Sequence, residues 1–129
     1  MTMDKKLFNL EAIAQEVRSK LTKAPVWYLD SESLKNGCHY AAFGVYKRII
    51  NMGNSEESSP KILRLILRSD EEGKWGGVHF VVDFDGYIID PTYTQYDQTS
   101  PKNVWAPNEE YPLRLNRKPE DVTQRMLKF

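Results

Sequence analysis

The segment Val78-His79-Phe80-Val81-Val82-Asp83-Phe84-Asp85-Gly86-Tyr87-Ile88-Ile89-Asp90 constrains the fold more than any other part of the chain. Two β-type runs flank Asp85-Gly86, a dipeptide that accepts the positive φ of a two-residue hairpin turn. That turn pairs Phe84 with Tyr87, Val82 with Ile89, Val81 with Asp90 and His79 with Thr92. Side chains alternate faces along a strand, so His79, Val81 and Asp90 point one way and Val78, Phe80, Val82 and Phe84 the other. His79 and Asp90 become diagonal neighbours about 7 Å apart at the backbone, within reach of a side-chain hydrogen bond. A symmetric four-residue loop keeps this register, whereas a three-residue loop turns Asp90 to the opposite face. The apolar row Val78, Phe80, Val82, Phe84 suits packing on a helix.

The remaining elements follow from periodicity. Between Asp4 and Lys23, Leu7, Leu10, Ala14, Val17 and Leu21 recur at three and four, the stripe of an amphipathic helix that Pro25 stops. A polar linker is expected from Asp30 to Gly37. A second helix is expected to begin near Cys38, with Asn36 and Gly37 as capping residues and Ala41, Ala42, Val45 and Ile49 continuing the stripe, and to end around Met52-Gly53. Ile62 to Arg68 reads as a strand, Glu71 to Gly77 as turn, and Pro91 to Pro112 as ordered loop with one short strand at most. Pro119, with Glu120 and Asp121 in a first turn and Val122, Met126 and Phe129 behind, reads as a C-terminal helix. No linker or repeat divides the chain, and its 129 residues with 40% hydrophobic content suit one domain over 1–129.

Charge and cysteine usage narrow the classes. Lys plus Arg equals Asp plus Glu at 18 each, so no positive excess points to nucleic acid or an anionic membrane as partner. A single cysteine forms no intrachain disulfide and the N-terminal residues do not read as a secretory signal, which suggests a cytoplasmic setting; an exported effector without a cleavable signal reads the same. No apolar run approaches the roughly 20 residues needed to span a bilayer as a helix.

Cys38, His79 and Asp90 make the candidate chemical constellation. The thiolate is the nucleophilic form of cysteine, and a helix N-terminus, with its free N–H groups and dipole, stabilises it, as does a nearby imidazolium. The histidine exchanges the thiol proton and returns it to the leaving group, and the carboxylate holds the ring's tautomer and direction. The Cys38 N–H is one candidate oxyanion donor.

The order of a helix-borne Cys, a strand His and an Asp on the next strand resembles the papain-like thiol superfamily. The resemblance rests on Asn36-Gly37-Cys38-His39-Tyr40-Ala41-Ala42 and on Gly77-Val78-His79-Phe80-Val81-Val82 through Gly86-Tyr87-Ile88-Ile89-Asp90-Pro91-Thr92, spanning about residues 36 to 95. The second block, with Gln95 shortly after, is similar to small transglutaminase-like and glutamine-deamidase members. The resemblance implies a papain-like α+β fold with the Cys helix packed on a small antiparallel sheet, the active groups meeting at the helix–sheet junction. It implies attack on an amide of a protein or peptide substrate through a thioester, with no cofactor or metal. Papain-type peptidases carry a glutamine shortly before the nucleophile, and Ser31 to Gly37 holds none. Asn36 and Gln95 stand as candidate replacements, and the departure shifts the expectation from proteolysis toward deamidation or transglutamination.

Each residue also has a plainer reading. A lone cysteine is commonly a small buried hydrophobe, and Asp90-Pro91 is also a strand end with a turn. His39 is a rival base, but adjacent helical residues diverge by about 100°. Zinc binding by Cys38, His39, His79 and Asp90 lacks the usual ligand spacing. Asp83 shares the His79 face four residues away and reads as solvated. Gln95 is equally a turn residue, Trp75 a cleft wall or loop packing, and Tyr93, Tyr96 and Trp105 loop anchors. A noncatalytic interaction module that keeps the fold with a silent site is the rival from another class.

Overall fold

In a computed structural model the described residues are 5–22, 31–52, 59–68, 75–93, 102–115 and 117–128, with 21–22, 31–39 and 75–76 described by backbone alone. They form helices α1 (Lys5–Thr22) and α2 (Ser31–Asn51), strands β1 (Lys61–Arg68), β2 (Trp75–Phe84), β3 (Tyr87–Ile89), β4 (Val104–Trp105) and β5 (Glu120–Asp121), and a last turn of helix, α3 (Thr123–Met126). The architecture is α+β around one antiparallel sheet of order β4-β3-β2-β1-β5.

The hairpin folds in the expected register, with Phe84 opposite Tyr87 and Val82 opposite Ile89. Asp85 and Gly86 have φ of 53° and 85°, the positive pair that gives a two-residue turn the twist of its strands. Asp83 closes this turn by accepting from the Gly86 N–H at 3.0 Å, at the exposed end of the hairpin.

Both long helices lie on one face of the sheet. Leu10, Ile13, Ala14 and Val17 of α1 and Ala41, Ala42, Val45 and Ile49 of α2 share a core with Ile62, Val82, Phe84, Ile89, Val104 and Val122, and Phe80 and Tyr87 pack against it. Phe80, Val82 and Phe84 of the apolar row of β2 thus meet the helices as its pattern implied. Full burial of side chains such as Val45, Val82 and Ile89 stabilises the sandwich by about 1.5–3 kcal/mol each.

Three boundaries differ from the sequence reading. The second helix starts at Ser31, seven residues before Cys38, so Asn36 and Gly37 are helical rather than capping and the polar linker is absorbed. Interior glycine costs about 1 kcal/mol against alanine, a penalty that a helix anchored by four buried residues tolerates. Strand β2 begins at Trp75 and takes over the end of the expected turn. Glu120 and Asp121 form β5 on β1 instead of a helical first turn, leaving α3 as Thr123–Met126. The Ile62 N–H donates to Thr123 Oγ1 at 2.8 Å, and the Val122 N–H to Ile62 O at 2.9 Å, so pairing to β1 outweighs the weak local preference for helix. Pro25, Tyr96, Gln95 and Phe129 lie outside the described residues.

Among the described residues, the opposite face of the sheet is covered by extended chain and not by a helix. Leu65, Leu67 and Val81 form a second buried cluster, with Leu63, Ile88, Tyr111, Leu113 and Leu115 packed on it. The segment 111–115 crosses this face as a strap, tied to β1 by the Leu67–Leu115 bridge and by the Arg68 N–H donating to Arg114 O at 2.8 Å.

Candidate functional site

His79 sits in the middle of the central strand, opposite Leu65 of β1, and alternates with Val81 on the strap side of the sheet. Asp90 follows the last residue of β3. The two side chains meet there, Nε2 of His79 2.8 Å from Oδ2 of Asp90, both with no exposed surface. An ionised carboxylate only accepts, so in this pairing the imidazole proton lies on Nε2.

The Asp90 carboxylate is bonded on both oxygens. Oδ2 also accepts from the Tyr111 hydroxyl at 2.6 Å, and Oδ1 accepts from the N–H and the hydroxyl of Thr92, each at 3.3 Å. Four donors compensate the removal of this group from water, which otherwise costs several kcal/mol. The backbone is held as firmly. The Asp90 N–H donates to Asn103 O at 2.8 Å, the Tyr93 N–H to Asp90 O at 3.3 Å, and Arg18 of α1 to Pro91 O at 3.1 Å. Glu11 of α1 accepts from the N–H groups of Asn103 and Val104 at 3.3 and 3.1 Å, fixing the strand on which Asp90 leans.

Beside the pair, Trp105 stands edge-on to Tyr93 at 4.8 Å and to Tyr111 at 5.0 Å. Tyr93 and Trp105 are buried anchors, as read from the sequence.

The candidate residues are therefore brought together unequally. His79 and Asp90 touch. Cys38 lies within α2, two turns past its start, where the N–H joins the helical ladder; the expected helix N-terminus and the oxyanion role of this N–H are both overturned. The described buried residues of α2 pack on the sheet face away from His79 and Asp90, so the pair is not at the junction of that part of the helix with the sheet. Asn36 is in the second turn of α2 and Trp75 opens β2 opposite Arg68. Gln95 lies outside the described residues, and so do the side chains of Asn36, Cys38, His39 and Trp75. Among the described residues no three His, Cys, Asp or Glu side chains gather to hold a metal ion. No helix of the described residues is long and apolar enough to cross a membrane.

Sequence reasoning missed two partners of the pair. Thr92 carried a signal, since an Asp followed two residues later by a free N–H is the pattern of an Asx turn. Tyr111 carried none, being 21 residues from Asp90 in sequence. Comparison with family models, curated proteins and solved structures returns no match for this chain.

Proposed function

We propose that this protein is a cysteine-dependent amide hydrolase or acyl transferase of papain-like type acting on glutamine side chains of proteins, with Cys38 as nucleophile, His79 as base and Asp90 as the group that orients the histidine. The observation that carries the reading is the buried 2.8 Å hydrogen bond between His79 and Asp90. It links a strand histidine to a carboxylate in the order and hairpin register of the papain-like resemblance, which supports a reaction in which Nδ1 is the proton-accepting nitrogen.

In this reaction His79 takes the Cys38 proton and the thiolate sulfur bonds to the amide carbonyl carbon. The C–N bond then breaks, the imidazolium gives its proton to the departing ammonia, and a thioester remains. Water, deprotonated by His79, attacks the thioester and releases glutamate and the thiol; an amine in place of water gives a crosslinked amide. Asn36, Gln95 and Trp75 are the proposed oxyanion and substrate contacts. The reading requires the Cys38 sulfur to come within about 4 Å of the His79 ring in the reacting state.

A second reading is a noncatalytic interaction module. It is favoured by the burial of His79 and Asp90 on the sheet face away from the described core of α2. Alkylation separates the two. A catalytic Cys38 reacts with iodoacetamide at slightly acidic pH at least about tenfold faster than a free thiol and loses that advantage in His79→Ala. A wild-type rate no faster than a free thiol overturns the enzyme reading.

A further inference from the structure

Asp90 has two sources of hydrogen bonds. Thr92 is two residues away and belongs to the same turn, whereas Tyr111 arrives from the strap that crosses the sheet. One end of the strap is seated in the aromatic group, with Tyr111 edge-on to Trp105 at an interplanar angle of 88° and tilted against Tyr93 at 6.2 Å. The other end is paired with β1 at Leu67 and Arg68, and Leu113 between them packs on the Leu65, Leu67 and Val81 cluster. The Tyr111 ring is thus held by packing, and its hydroxyl ends 2.6 Å from the oxygen that also receives the His79 ring.

We infer that Tyr111 is a positioning residue: when the strap 111–115 lies on the sheet, the Tyr111 hydroxyl fixes the Asp90 carboxylate and, through it, the direction and proton affinity of the His79 imidazole. The inference builds on the proposed catalytic role of His79. Two donors on one carboxylate oxygen share its electron density, so the Tyr111 bond weakens the pull of Asp90 on the ring proton. It also confines Oδ2 to one place, and a ring bonded to a fixed acceptor has one orientation. The strap bearing Tyr111 packs on the same sheet face as His79, so the packing that covers the pair also delivers the Tyr111 hydroxyl to Asp90.

Tyr111→Phe keeps the ring against Trp105 and Tyr93 and removes only the hydroxyl. With Asp90 relieved of a donor, the imidazolium of His79 gains stabilisation. The expected result is a rise of about threefold or more in the proton-binding constant of His79, read from its ring nitrogen resonances across a pH titration. An unchanged His79 titration in a variant that merely melts earlier overturns the inference and leaves Tyr111 a packing residue. Should the variant not fold, the wild-type protein decides: a slowly exchanging Tyr111 hydroxyl proton near Asp90 supports the bond, and its absence overturns it. The titration needs no catalysis, so loss of the enzyme reading through an inert Cys38 is distinguishable from failure of this inference.

Discussion

Nε2 of His79 lies 2.8 Å from Oδ2 of Asp90, and neither side chain has any exposed surface. Removing the carboxylate takes the acceptor from four hydrogen bonds at once, those of the His79 ring, the Tyr111 hydroxyl, and the N–H and hydroxyl of Thr92. Asp90→Ala is expected to lower folding stability by about 3–5 kcal/mol, measured by urea denaturation. A loss below about 1 kcal/mol would mean that the network is not formed in solution.

Glu11 sits on α1, yet its carboxylate serves the far side of the hairpin by accepting from the N–H groups of Asn103 and Val104. Both residues are buried, so Glu11→Ala leaves two donors dry and is expected to cost about 2–3 kcal/mol. Glu11→Gln keeps an acceptor oxygen and should cost about 1 kcal/mol. Equal costs for the two variants would show that the side chain contributes through packing instead.

Gly86 occupies φ 85°, and a Cβ there would stand 3.1 Å from Cγ and 3.2 Å from Cβ of Pro107. Gly86→Ala is therefore expected to destabilise by about 1–2 kcal/mol, from backbone strain with a contribution from the close contact. Pro107→Gly in that background removes both atoms and should recover the part due to the contact, read as a rise in Tm. No recovery would assign the whole cost to the backbone.

Hydrogen bonds from the hydroxyl and N–H of Thr123 hold the Asp121 carboxyl below its ordinary value. A carboxyl depressed in the folded state adds stability that is fully present above its unfolded value, about 3.9, and is lost as pH falls through the lower folded value. Asp121 is largely exposed, so solvent reduces the effect. Asp121→Asn should flatten the acid limb of stability below about pH 4 and leave its shape near neutrality unchanged. An acid limb as steep as that of the wild-type protein would count against this linkage.

The hairpin was legible because its determinants are local. Asp85-Gly86 sets the turn, the turn sets the register, and the register puts His79 and Asp90 on one face. The stripe of α1 and the C-terminal half of α2 were legible for the same reason, since a period of 3.6 residues is visible in a short window. The start of α2 was not. Ser31 to Gly37 has no apolar period and carries Asn36 and Gly37, residues common at helix ends, so local preference pointed to a cap where the folded chain continues the helix. β5 was hidden because a two-residue strand has no period at all and exists by pairing with Leu63 and Arg64.

The sequence by itself determined the hairpin register and the apolar row that meets the helices, because strand alternation and turn chemistry act between residues a few positions apart. Only the tertiary structure decided what surrounds the His79–Asp90 pair. Tyr111 comes from 21 residues beyond Asp90, Arg18 from a different layer, and the strap packs on the sheet face on which the pair lies. These contacts depend on how separate elements pack, and packing of distant segments leaves no periodic mark in the order of the residues.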